Sequence, residues 1–157
     1  MRVLNRAVQS YNGMKVYRIS AITLKVKDME KSCSLYSKIP GFRLTYGGES
    51  SDSFTTFEIG KGSKRTYLNL ERIEDDEDSP DFYKKFNLGK TTESRDFGRV
   101  IFHTENVDKL YSYMKQDEYI LKYIVFENEP TNAPWGERFF HIREPNGYQL
   151  SFAQPLS

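Results

Sequence analysis

The chain has one cysteine, Cys33, in 157 residues. A lone thiol excludes an internal disulfide, so packing and hydrogen bonds must hold the fold. Nothing then calls for an oxidising compartment, and a cytoplasmic setting is expected. Cys33 falls in a predicted helix with no His or Asn beside it in sequence. It reads as a structural thiol rather than a nucleophile. Long apolar runs are also missing: none approaches the ~20 residues that cross a bilayer. The opening "MRVLNRAVQSYNGMKVY" has no continuous apolar core of the secretory type. Charge of either sign is not in excess, with 23 Lys and Arg against 22 Asp and Glu and a net charge of +1. That balance argues against nucleic-acid or membrane partners.

What the chain does have is aromatic side chains, 15% of residues, among them 11 Tyr, 11 Phe and a single Trp. They suit strands and a core, and they can wall an apolar pocket.

The first half reads as βαβββ. "YRISAITLKVK" (17–27) alternates, with Ile22, Leu24 and Val26 on one face. Asp28 is a helix N-cap, "MEKSCSLYSKI" a helix, and "PGF" its end. "FRLTYG", "SFTTFEIG" and "RTYLNLERI" are strands, with "KGSK" a turn. The expected organisation is a lead or dimer arm (1–16), a first module (17–73), an acidic linker with room for a short helix (74–97), and a second module (98–157). The acidic run "ERIEDDEDSPD" reads as a solvated loop.

The second half repeats the first. "GRVIFHTENVDKLYSYMK" overlays "SAITLKVKDMEKSCSLYSK", so Ile22 meets Val100, Leu24 meets Phe102, and Asp28 meets the second N-cap, Asn106. Val107, Leu110, Tyr111 and Met114 form an apolar stripe. "YIVFENEP" is expected to be a strand; "RFFHI" overlays "TTFEI", and "QLSF" overlays "YLNL". The order of elements, the caps and the apolar faces all agree, which points to an internal duplication. Pro145-Asn146-Gly147 closes the last hairpin, with Gly147 free to take a positive φ.

These stretches, "ITLKVKDMEKSCSLYSKIPGF" and "WGERFFHIREPNGYQLSF" above all, resemble the vicinal oxygen chelate superfamily, the group of glyoxalase I, extradiol dioxygenases and fosfomycin- and bleomycin-resistance proteins. The resemblance covers roughly 17–155 and implies an α+β fold, two tandem βαβββ modules curled around one concave cavity with helices outside. It also implies four metal-ligand slots, on the first and last strand of each module. Here they fall at Ala21, Asn69, Arg99 and Ser151. Ala21 offers no donor atom, and Arg99 carries a fixed positive charge. Asn69 and Ser151 offer neutral oxygens, weak without carboxylates or imidazoles. No cofactor is therefore expected. A divalent ion would need a relocated set, for which Glu58, Glu71, His103 and His141 are the candidates, Glu58 and His141 standing at matching positions in the overlay.

The cavity keeps the makeup of a small-molecule site, with Arg99, Trp135, Phe139, His141, Asn69 and Ser151 as ligand-binding candidates. Arg99 needs a partner: an internal carboxylate, Glu58 or Glu71, or an anionic ligand. Trp135, after Pro134, is either a stacking platform, as similar Pro-Trp-Gly segments in bleomycin-resistance-like relatives imply, or a plug at the end of the core. Three functions compete: a metal-free binding protein sequestering a small ligand; a lyase, isomerase or dioxygenase of the same superfamily, using a relocated metal or His141 and Glu58 as acid and base; and a non-catalytic module with a protein partner. The substituted slots favour the first. Relatives of this length are often homodimers, and a homodimer is expected here.

Overall fold

The computed structural model describes Met14, residues 16–73 and residues 98–156. The acidic linker and most of the lead lie outside the described residues. The first half contains β1 (Ala21–Val26), α1 (Met29–Ser37), β2 (Phe42–Tyr46), β3 (Phe54–Ile59) and β4 (Thr66–Arg72), with a single 3-10 turn at Gly62–Lys64. The second contains β5 (Arg99–His103), α2 (Val107–Met114), α3 (Glu118–Tyr123), β6 (Val125–Phe126), β7 (Thr131–Asn132), β8 (Glu137–Arg143) and β9 (Gln149–Pro155). The fold is α+β.

Each half builds its own mixed sheet. The first runs β1-β4-β3-β2 and the second β5-β9-β8-β6, with β7 also on β8. β1 lies parallel to β4, and β5 parallel to β9; the remaining pairs are antiparallel. The duplication therefore extends to topology and register. Thr23 faces Asn69 in one sheet, and Ile101 faces Ser151 in the other.

Strand alternation sorts the side chains. Leu24, Val26, Phe57, Leu68 and Leu70 turn inward and are buried, as are Val100, Phe140, Ile142, Leu150 and Phe152. The expected caps are made. Asp28 accepts from the Lys31 N–H at 3.0 Å, and Asn106 from the Lys109 N–H at 2.9 Å. Cys33 is buried on α1, and burial pushes its thiol up, which suits a structural thiol.

One expected element changes. "YIVFENEP" is not a strand throughout: Asp117 caps α3 by accepting from the Ile120 N–H at 3.0 Å, and only Val125–Phe126 pairs with β8. Asp117 and Glu118 place negative charge at the helix start, where the peptide dipole favours it, and the helix runs to Tyr123, the first residue of the expected strand, before extended Ile124 ends it.

Aromatic rings join the halves. Tyr36 stacks near Phe42, Phe42 meets Phe102 edge-on at 5.1 Å, and Phe102 stacks on Phe152 at 5.6 Å. A second joint is polar. The turn after β8 brings Asn146 Oδ1 and Tyr148 Oη to the open edge of β1, where they accept from the Lys27 and Lys25 N–H groups at 3.1 and 2.9 Å. Gly147, at φ +87°, allows that turn. Glu144 is fully buried there. Its carboxylate accepts from Asn146 Nδ2 at 2.9 Å, the Tyr148 N–H at 3.1 Å and Tyr36 Oη at 3.4 Å. Burial, then Glu144, drives the Tyr36 phenol well above its usual range, so it stays a protonated donor.

Candidate functional site

Both sheets direct alternate side chains, the odd-numbered ones on β1, β4, β5, β8 and β9, away from the core, and both outer faces are open in the single chain. Among the described residues no side-chain hydrogen bond joins one outer face to the other. The four slots that the resemblance implied fall on these faces.

On the first sheet Asn69 is consumed internally. Its Oδ1 accepts from Thr56 Oγ1 at 3.0 Å, and its Nδ2 donates to Thr23 Oγ1 at 3.3 Å. Ala21 sits opposite Tyr67 and brings no polar atom. Around them the charges are paired: Lys25 with Glu71 at 2.7 Å, Arg43 with Glu58, and Arg65 with Glu58 at 3.4 Å.

On the second sheet β9 runs between β5 and β8 and presents small residues outward. Ser151 lies between Ile101 and His141, and Ala153 between His103 and Phe139. Larger side chains on the flanking strands close over them. Arg99 Nη1 reaches His141 Nε2 at 3.0 Å, and His103 Nε2 reaches Glu137 Oε1 at 3.1 Å. Both bridges run from β5 to β8 and so cross β9. Ser151 and Ala153 beneath them are buried despite facing outward.

The Arg99–His141 contact fixes a tautomer. A guanidinium only donates, so Nε2 accepts and the neutral ring carries its proton on Nδ1. Burial, then the Arg99 charge, holds His141 below the usual imidazole range; Arg143 acts in the same direction and Glu127 against it. Nδ1 is buried and has no hydrogen-bond partner among the described residues. The backbone N–H of His141 donates to Asn128 Oδ1 at 2.7 Å. Glu127, the carboxylate whose charge acts on His141, is already engaged, taking Arg143 Nη2 at 3.0 Å and Gln149 Nε2 at 3.2 Å. Among the described residues Arg99 has no carboxylate partner: its one hydrogen bond is to a neutral ring.

Rings extend the face away from Arg99. Phe139 lies 4.7 Å from His141, and Trp135 stacks on Phe139 at 6.0 Å with 20° between planes. Trp135 is 70% exposed, which excludes a core plug. Its Nε1–H donates to Glu137 Oε2 at 3.0 Å.

Several expectations on these residues need correction. Arg99 pairs with neither Glu58 nor Glu71, which lie on the other sheet and hold other cations. The four candidates for a relocated metal set are not brought together. Glu58 binds Arg43 and Arg65, Glu71 binds Lys25, His103 binds Glu137 and His141 binds Arg99. Among the described residues no three His, Cys, Asp or Glu side chains converge. Nor do the slots fit a divalent ion, since one is an alanine, one a cation and one an amide already bonded at both ends. Glu58 and His141 are not repeat equivalents either. His141 faces Ser151 while Thr56 faces Asn69, so Thr56 is the counterpart of His141, and Glu58 that of Arg143. A two-residue slip keeps every side chain on its face, and the alternation cannot reveal it.

Arg99, Ser151, His141, Phe139 and Trp135 do share one face; Asn69 does not. Glu137 and Glu127 escaped the sequence reading. Glu137 was recoverable, since it alternates with Phe139 and His141 along one strand. Glu127 belongs to the loop after β6 and carries no periodic signal.

Comparison with known proteins places this architecture. The chain belongs to the glyoxalase/bleomycin resistance protein/dioxygenase superfamily, whose family model matches residues 18–152. Solved structures agree in fold at low identity. A glyoxalase/bleomycin resistance protein/dioxygenase from Nocardioides is 21% identical, with 93% of this chain and 89% of that one covered at a TM-score of 0.57. TioX from Micromonospora sp. ML1 is 14% identical, with 89% and 100% covered and a TM-score of 0.61. A lactoylglutathione lyase from Agrobacterium tumefaciens is 16% identical, with 88% and 94% covered and a TM-score of 0.58. No curated protein sequence matches. No helix among the described residues is long and apolar enough to cross a membrane.

Proposed function

We propose that this protein binds a small organic anion on the outer face of its second sheet, as a sequestering member of the superfamily that works without a divalent metal. The observation that carries the reading is Arg99. It is a cation on the candidate face with no carboxylate partner among the described residues, held by the neutral Nε2 of His141. A guanidinium oriented this way keeps most of its donors for an oxyanion and can take it in a forked geometry. An arriving carboxylate meets a site already positive, because Arg99 and the depressed imidazole cannot neutralise each other. The metal-free part of the reading draws on donor chemistry: the four slots lack a ligand set, and Arg99 would repel a dication. We include a homodimer in the proposal, in which a second copy would cover exposed apolar groups such as Val16, Tyr17 and Ile19.

The test is a calorimetric titration of the protein and of Arg99→Met with organic carboxylates, after metal analysis of material purified without chelator. Wild-type binding that is lost in Arg99→Met supports the reading. A stoichiometric divalent ion bound at micromolar affinity or better, or acid binding indifferent to Arg99, would sink it.

A further inference from the structure

The contact between Arg99 and His141 holds only while the ring is neutral. Neutral His141 accepts at Nε2, from Arg99 Nη1 at 3.0 Å. The imidazolium carries a proton on each nitrogen and accepts nothing, so it would turn a donor toward a donor. Nδ1 carries a proton in either state and is buried without a partner among the described residues, so its cost does not change on protonation. The difference between the two states therefore lies at Nε2. Among the described residues no neighbour supplies the missing acceptor. Arg99 stands on β5, and β9 between them offers only the uncharged Ser151 and Gln149. Glu127, after β6, is taken by Arg143 and Gln149. Asn128 accepts from the His141 backbone. On β8 itself, Arg143 adds a second positive charge, and Glu137 is held by His103 and Trp135. Burial and then Arg99 favour the neutral ring further, with Glu127 alone opposing them.

We propose that this site takes up a proton together with its ligand: an oxyanion seated on Arg99 displaces Arg99 from Nε2, and His141 binds it as the imidazolium. No covalent bond in the ligand is made or broken. The proton passes from solvent to Nε2, and the new Nε2–H donates to the ligand. The reach follows from the contact itself. Nη1 and Nε2 are 3.0 Å apart, so a carboxylate that accepts from Arg99 in a forked geometry has an oxygen beside Nε2. Its negative charge favours the protonated ring, as an opposite charge at that distance does. The ligand class narrows to acids that are ionised near neutral pH and present two oxygens on one centre, one for the guanidinium and one for the imidazolium. This rests on the anion-binding reading of Arg99, and the test separates the two. The bound protein holds more protons than the free protein, so affinity rises as pH falls through the window between the bound and free imidazole values. Protonation of a carboxylate ligand acts in the opposite direction, about two units below the ordinary imidazole value.

The probes are benzoate and 2-naphthoate. Their affinities are measured by calorimetry in bis-Tris between about pH 7.5 and about pH 5.5, and proton uptake is read in a pH-stat near pH 6. For an imidazole pKa raised by about one unit, the expected result is about half a proton taken up per ligand and an affinity about three- to tenfold higher at the acid end of that range. His141→Gln, whose amide oxygen still accepts from Arg99, abolishes the uptake and brings that ratio to about one. The ratio is read within one variant, so a general weakening of binding does not alter it. His103→Gln, at the only other histidine, retains both effects. The same variant assigns the His141 ring signals in proton NMR, and in the wild type their titration midpoint rises when benzoate is added. If the acids bind with no proton uptake and with equal affinity across the range, or if uptake survives in His141→Gln, the coupling is overturned and the anion site stands. If neither acid binds, both fall.

Discussion

The two outer faces arise from one repeated plan and end in opposite states. On the first sheet the central strand β4 carries large polar groups, Tyr67, Asn69 and Glu71, and the neighbouring strands satisfy the last two. Thr23 and Thr56 take both ends of Asn69, and Lys25 takes Glu71. On the second sheet the central strand β9 carries Gln149 at its start and then only Ser151 and Ala153, and beyond Gln149 the large groups stand on the flanks. Side chains that bridge over a small floor are held at their ends only, and they can be drawn away by a ligand. Side chains that fill the centre and bond to both neighbours cannot. On the proposed reading, where the polar bulk sits across three strands separates the half that serves as scaffold from the half that binds.

The comparison breaks most readily at the two arginines. Arg99→Met is expected to weaken organic-acid binding about ten- to a hundredfold, the usual worth of a charged hydrogen bond, whereas Arg43→Met leaves binding unchanged in the same calorimetric titration. Next comes Asn69→Ala, which strips the acceptor from Thr56 and the donor from Thr23. It should lower stability by about 1 kcal/mol in denaturant unfolding and leave acid binding intact. A smaller and pH-confined effect belongs to His141. Its folded pKa lies below its unfolded value, so the unfolded chain binds more protons on the acid side. The stability present above the ordinary imidazole pKa is then lost as pH falls through the lowered one. His141→Gln should flatten that acid-side decline in urea midpoints measured as a function of pH; an unchanged slope would assign the decline to other groups. The smallest effect is Lys25→Met. The exposed pair with Glu71 contributes under about 1 kcal/mol, and its loss should be near the limit of detection in the same unfolding assay.

The fold was legible because its signals are periodic. Strand alternation at 21–26 and 99–103, the caps Asp28 and Asn106, and the Pro-Asn-Gly turn each state a backbone preference in a few adjacent residues. The face on which Arg99, Ser151, His141 and Phe139 stand was equally legible, since alternation sets it. What sequence could not supply was which of several cations meets which carboxylate. Arg43, Arg65, Lys25 and Arg99 look alike as strand residues, and only strand order shows that Arg99 faces a histidine across β9. The two-residue offset between Thr56 and Glu58 was hidden for the same reason, because alternation repeats every second residue. Helix α3 was missed because it is only six residues long and its one strong signal is the cap Asp117, while the expected strand began at Tyr123, its last residue.

The clasp between the last hairpin turn and the edge of β1 also has a consequence in time. The bonds from Lys25 to Tyr148, from Lys27 to Asn146 and from Tyr36 to Glu144 join residues 123, 119 and 108 positions apart. Contacts so distant along the chain close large loops and form late in folding. During synthesis the first half emerges whole while the residues that cover its open strand are still unmade. Until residues 144–148 arrive, β1 offers unpaired N–H groups that a neighbouring chain can bind. The hairpin that closes the second half therefore also ends the interval in which a newborn chain can pair with the wrong partner.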